Sequence, residues 1–162
     1  MRRVARAPVL HALAPAAACT GTIGGRNPAV RCQTVTRRRP DRGVPASRIV
    51  LMGFSQGCAM TLLAGLRHGE RLAGLVGLSG YLPLADHTAA ERTSANADVP
   101  IFLAHGREDP MIGIERALAS RDALLALGLP VEWHDYAMPH SVCIDEITDL
   151  NRWLLRVLER GQ

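Results

Sequence analysis

No lysine occurs anywhere in the 162 residues, and Trp, Tyr and Phe together make up only 4% of them. The missing lysine excludes a P-loop, whose grip on phosphate needs a Gly-rich loop followed by Lys and then Ser or Thr. No run approaches the roughly 18 uninterrupted apolar residues of a transmembrane helix, which excludes a helical channel or transporter and leads us to expect a soluble chain. Four cysteines, Cys19, Cys32, Cys58 and Cys143, form no C-x-x-C pair. Neither a zinc knuckle nor a disulfide framework is therefore expected, and reduced thiols in the cytoplasm are the default reading. With 48% hydrophobic and 21% charged residues, the chain is neither disordered nor collagen-like, and its length suits one globular domain.

The net charge of +4 hides two unlike halves. Nine Arg face a single acid, Asp41, before Arg48, whereas ten Arg face fourteen acids from Arg48 onward. The high pI thus belongs to the head, and no recognised nucleic-acid module accompanies it, so nucleic acid is not an expected partner. Residues 1–46 are rich in Arg, Ala and Pro. They show no helix or strand periodicity beyond a short stretch from Ala7 to Ala18, and read as an irregular N-terminal segment. Residues 1–19, with Met1-Arg2-Arg3 ahead of an apolar stretch and Cys19, faintly resemble a signal or lipoprotein signal. Pro8, His11 and Pro15 break that stretch, so a cytoplasmic location is expected and export is the alternative.

From Ile49 the pattern changes to short apolar runs alternating with longer amphipathic stretches. Strands are expected at Ile49 to Phe54, Leu75 to Leu78, Ile101 to Ala104 and Val131 to Tyr136. Helices are expected from about Met60 to near Gly69, from Glu115 to Leu127, and from Ile144 to Leu158, with a loop from Gly80 to Asp98. Such alternation means an α/β fold with a mostly parallel sheet and flanking helices, occupying residues 47–162. Ligands in such folds bind beyond the carboxyl ends of the strands.

Three strand exits carry chemistry. Gly53-Phe54-Ser55-Gln56-Gly57 is a G-x-S-x-G match between a strand and a helix, the setting of a nucleophile elbow. Small residues two before and two after the serine let strand and helix approach, lifting Ser55 above the sheet and aiming the Gln56 N–H at an oxyanion. A serine hydroxyl needs a base within reach and an acid to orient that base. His105-Gly106-Arg107-Glu108-Asp109-Pro110 and Ala137-Met138-Pro139-His140-Ser141 follow two other strands, and the order Ser55, Asp109, His140 is that of α/β-hydrolases. Glu108 competes with Asp109 as the acid, whereas Asp98 lies at the wrong end of its strand. His105 competes with His140, or serves as a structural hydrogen-bond donor; His68, His87 and His134 read as surface or strand side chains.

These segments, together with Leu78-Ser79-Gly80-Tyr81-Leu82-Pro83 and Trp133-His134-Asp135-Tyr136, resemble the phospholipase/carboxylesterase family of α/β-hydrolases, which includes acyl-protein thioesterases. The resemblance covers about residues 44–160. It implies hydrolysis of small-molecule carboxylic esters or thioesters through an acyl-serine, without metal or organic cofactor. It also implies Ser55 as nucleophile, His140 as base, Asp109 as orienting acid, and Gln56 as oxyanion donor. Leu82, Met111 and Ile112 resemble acyl-site walls, with packing alone as the equal alternative.

The sequence departs from the family upstream. A His-Gly loop should supply the second oxyanion donor, and the nearest match, Leu10-His11-Ala12-Leu13, has alanine for glycine. Only 43 residues separate His11 from Ser55, too few for the further strands and helices that the resemblance implies. The Ser55 strand is therefore expected to be an exposed apolar edge inviting self-association, and a non-catalytic remnant acting as an interaction protein is the alternative to an active esterase.

Overall fold

The computed structural model describes residues 9–12, for their backbone, and residues 44–159. The remainder of the signal-like stretch, Cys19 and Cys32 lie outside the described residues. Among the described residues five strands form one parallel sheet in sequential order: β1 Val9–Ala12, β2 Ile49–Phe54, β3 Gly74–Leu78, β4 Ile101–Gly106 and β5 Val131–Tyr136. Four helices accompany them: α1 Gln56–Leu66, α2 Ala85–Glu91, α3 Ile114–Ala126 and α4 Ile144–Glu159.

Strand side chains alternate between two faces, and each face acquires its own core. Ile49, Leu51, Leu75, Ile101 and Leu103 pack under α1 and α3 with Leu62, Leu66 and Leu124. Val50, Val76, Leu78, Phe102 and Ala104 pack on the other face under α4, with Leu150, Trp153 and Val157. Strands buried on both faces read as continuous apolar runs, which is why β2 to β4 were legible as strands. β4 runs two residues further than its apolar run, because His105 and Gly106 pair with Asp135 and Tyr136 of β5.

Two elements differ from expectation. The segment 80–98, expected as a loop, contains α2 and a short 3-10 turn, Ser94–Asn96. Only Thr88 of α2 is buried, so that helix has no apolar stripe to announce it. β1 falls inside the segment that composition reads as irregular. Val9 pairs with Ile49 and Ala12 with Met52, so the expected bare edge of the Ser55 strand is covered over those four residues, and among the described residues β1 is the edge strand. A four-residue strand takes its conformation from its neighbour rather than from a period of its own.

Candidate active site

The β2-to-α1 turn is built around close backbone approach. A Cβ on Gly53 would lie 2.1 Å from the carbonyl carbon and oxygen of Gly57, so only glycine lets the strand fold back onto the helix. Ser55 at the apex has φ 56° and ψ −119°, a strained conformation that costs a residue with a Cβ about 1 to 3 kcal/mol. Its N–H donates to the Leu78 carbonyl at 2.8 Å, tying the turn to the end of β3. Gln56 opens α1, where helix geometry leaves the first amide groups without intrahelical acceptors.

The exits of β4 and β5 are pressed together in the same manner. A Cβ on Gly106 would meet the Met138 carbonyl oxygen at 2.2 Å. Arg107 N–H donates to the Tyr136 carbonyl and Glu108 N–H to that of Met138, at 2.8 and 3.2 Å. This zipper sets Asp109 against the loop that carries His140. The Asp109 carboxylate lies 2.6 Å from His140 Nδ1, and His140 Nε2 lies 2.9 Å from Ser55 Oγ. A carboxylate only accepts, so Nδ1 carries the proton and Nε2 is free to accept the serine hydroxyl's.

Asp109 is buried, and its other oxygen accepts the N–H groups of Met111 and Ile112 at 2.8 and 2.9 Å. Burial pushes its carboxyl up, but the bonds from His140, Ile112 and Met111 outweigh burial and hold it below the ordinary carboxylate value. Phe54, partly exposed, packs its ring 4.8 Å from the His140 imidazole.

Of the residues singled out from the sequence, Ser55, Asp109 and His140 converge, and Gln56 adjoins them in sequence at the helix start. The competing acid Glu108 is exposed. His105 is fully buried behind Asp109, with Nε2 3.4 Å from an Asp109 oxygen. His134 sits between Glu132 and Asp149 on the α4 face. Leu82 is a core side chain, while Met111 is 74% exposed and Ile112 is half-buried. The contact of Phe54 with His140 was not read from the sequence, although the residue stands inside the G-F-S-Q-G motif. Among the described residues no cluster of His, Cys, Asp or Glu is arranged to hold a metal ion.

This constellation has close parallels. The sequence pattern of Phospholipase/Carboxylesterase matches residues 27–158. The chain belongs to that family. The match to the phospholipase/carboxylesterase family begins upstream of the composition change near residue 46. Acyl-protein thioesterase 1 of Yarrowia lipolytica is 41% identical over 127 residues, covering 76% of this chain and 56% of that protein. The enzyme of the same name from Gibberella zeae is 41% identical over 121 residues, covering 73% and 52%. The chain thus spans about half the length of these curated relatives. Among solved structures, Arabidopsis thaliana SOBER1 superposes with a TM-score of 0.75 at 25% identity, covering 80% of this chain and 62% of that one. Zea mays acyl-protein thioesterase 2 superposes with a TM-score of 0.62 at 25% identity, covering 80% and 63%. The sheet and helices are those of an α/β-hydrolase fold.

Proposed function

We propose that the chain is a serine hydrolase that cleaves carboxylic esters or thioesters of small molecules through an acyl-serine intermediate. The observation that carries this reading is the continuous relay from Ser55 Oγ through His140 to Asp109, at 2.9 and 2.6 Å, with the serine held at a strained turn. The fungal relatives at 41% identity, named acyl-protein thioesterases, support the same chemistry.

In the acylation step Ser55 Oγ bonds to the acyl carbon while its proton passes to His140 Nε2. The imidazolium so formed is stabilised by the ionised Asp109, and it returns the proton to the departing alkoxide or thiolate. Water then attacks the acyl-serine with His140 again as base, releasing the carboxylic acid and regenerating Ser55. The Gln56 N–H supplies one hydrogen bond to the oxyanion. β1 runs parallel to the Ser55 strand and ends with Ala12 beside Met52. One missing donor costs about 10² to 10³ in turnover. Met111 and Ile112, on the loop that carries Asp109, are the proposed walls of the acyl site, whereas Leu82 belongs to the core.

The reaction as written uses no metal or organic cofactor and no nucleic acid. No helix among the described residues is long and apolar enough to cross a membrane, and the cytoplasm is the proposed location. The test is labelling with a fluorophosphonate probe followed by peptide mass spectrometry. The adduct is expected on Ser55 and absent from S55A; a folded wild type that forms no adduct contradicts the proposal.

A further inference from the structure

Among the described residues, His105 is the largest fully buried polar side chain that the reaction does not use. It lies on β4 beneath the loop that carries Asp109, with no exposed surface. Its Nε2 is 2.8 Å from the Ile112 carbonyl oxygen. A carbonyl can only accept, so Nε2 is the protonated nitrogen. The same Nε2 faces the Asp109 oxygen that receives His140, at 3.4 Å. Ile112 in turn donates its N–H to the other Asp109 oxygen at 2.9 Å.

These contacts close a ring. His105 anchors the Ile112 carbonyl, Ile112 and Met111 saturate one carboxylate oxygen, and the second oxygen is left with one direction to face, toward His140 Nδ1. A carboxylate on an exposed loop rotates freely about its last torsion, and this one is held by bonds on both sides. The hold begins in the sheet, since His105 pairs with Asp135 within β4 and β5. The opposite ring nitrogen, Nδ1, is buried without a hydrogen-bond partner. An aliphatic side chain of similar volume would save that unmet polar group, so a requirement for pure packing would favour one.

We infer that His105 is a positioning residue, fixing the Asp109 to Ile112 turn through the Ile112 carbonyl so that the Asp109 carboxylate meets His140 in the productive orientation. This rests on the serine-hydrolase reading of the site. Its effect falls chiefly on the rate of acyl transfer, because His105 is sealed from the surface and touches no substrate.

The test compares H105L, H105N and H105Q with wild type and S55A on a short-chain nitrophenyl ester, with rates normalised to sites titrated by fluorophosphonate. Gln places a donor near the Nε2 position, Asn is too short to reach the Ile112 carbonyl, and Leu has no donor. H105L and H105N are expected to lose roughly 10- to 100-fold in kcat, the scale of a small misplacement of reacting groups, with KM within about twofold of wild type. H105Q is expected to recover most of the loss. Proton NMR of H105Q is expected to keep the low-field resonance of the His140 Nδ1–H, and that of H105N to lose it. If H105L fails to fold, the Asn and Gln pair carries the comparison.

Wild-type kcat in H105L or H105N overturns the inference. So does equal impairment of H105N and H105Q, or a parallel loss of kcat, KM and thermal stability, which marks packing alone. If S55A is as active as wild type, the hydrolase reading itself fails and takes this inference with it.

Discussion

Asp109 Oδ2 and His140 Nδ1 meet at 2.6 Å although they lie 31 positions apart in sequence. They meet because the loops leaving β4 and β5 are in backbone contact at Gly106 and Met138. Adjacent strands of a parallel sheet end side by side, so two short loops suffice to join an acid and a base.

The first prediction concerns that pair. D109N removes the acceptor that holds the His140 Nδ1 proton, and kcat is expected to fall about 10³- to 10⁴-fold, with KM little changed. The Asp109 carboxyl titrates below its ordinary value in the folded chain. Its contribution to stability is therefore complete above the unfolded value of about 3.9 and is lost as pH falls through the lower folded value. Acid melts of wild type are expected to steepen below about pH 4 and those of D109N to lack that component. Steady-state kinetics and circular dichroism melts check both.

Glu146 gives the opposite dependence. It is fully buried in the first turn of α4. Burial pushes it up to about 7, against the opposing pull of the Cys143 N–H. The folded chain therefore holds this proton more tightly than the unfolded chain does. The resulting stability is complete below the unfolded value of about 4.3 and is lost as pH rises to about 7. Wild type is expected to lose on the order of 3 to 4 kcal/mol across that window, and E146Q to show a flatter profile. Urea melts at several pH values measure the difference.

Thiol chemistry separates the two described cysteines. Cys58 is buried, and burial pushes its thiol up to about 12 against a weaker opposing hydrogen bond from the Tyr81 backbone, whereas Cys143 is half-buried. Iodoacetamide at pH 8 is expected to modify Cys143 in the native chain and Cys58 only after denaturation. Peptide mass spectrometry reads the pattern, and native labelling of Cys58 contradicts it.

Self-association is expected from exposed apolar side chains at the sheet end that carries Ser55. Phe54, Leu84, Met111, Val142 and Ile144, which lie at or follow the carboxyl ends of β2 to β5, are all exposed, and exposed apolar surface of this kind favours association. Light scattering on a sizing column should give a mass above 17.5 kDa at micromolar concentration; a monodisperse monomer contradicts the prediction.

Particular residues show how far the sequence could be read. β2, β3 and β4 announced themselves by burial on both faces, and β5 by the run Val131 to Tyr136. Ser55 was legible because Gly53 and Gly57 flank it at the strand-to-helix junction. The choice between Glu108 and Asp109 was not settled by adjacency in sequence. In the structure the Asp109 carboxylate meets His140, and Glu108 is exposed. β1 was missed because four residues have no measurable period, and α2 because only Thr88 of it is buried. His105 sits in a strand whose apolar run ends one residue earlier, so nothing local marked its bond to the Ile112 carbonyl.

The most direct test of the account is hydrolysis of a short-chain nitrophenyl ester by the purified chain beside S55A, with both proteins matched for folding by circular dichroism. The account predicts turnover by wild type and, in S55A, a fall of at least about 10³-fold. A folded wild type no faster than S55A would contradict the serine nucleophile and leave the chain a non-catalytic member of its family.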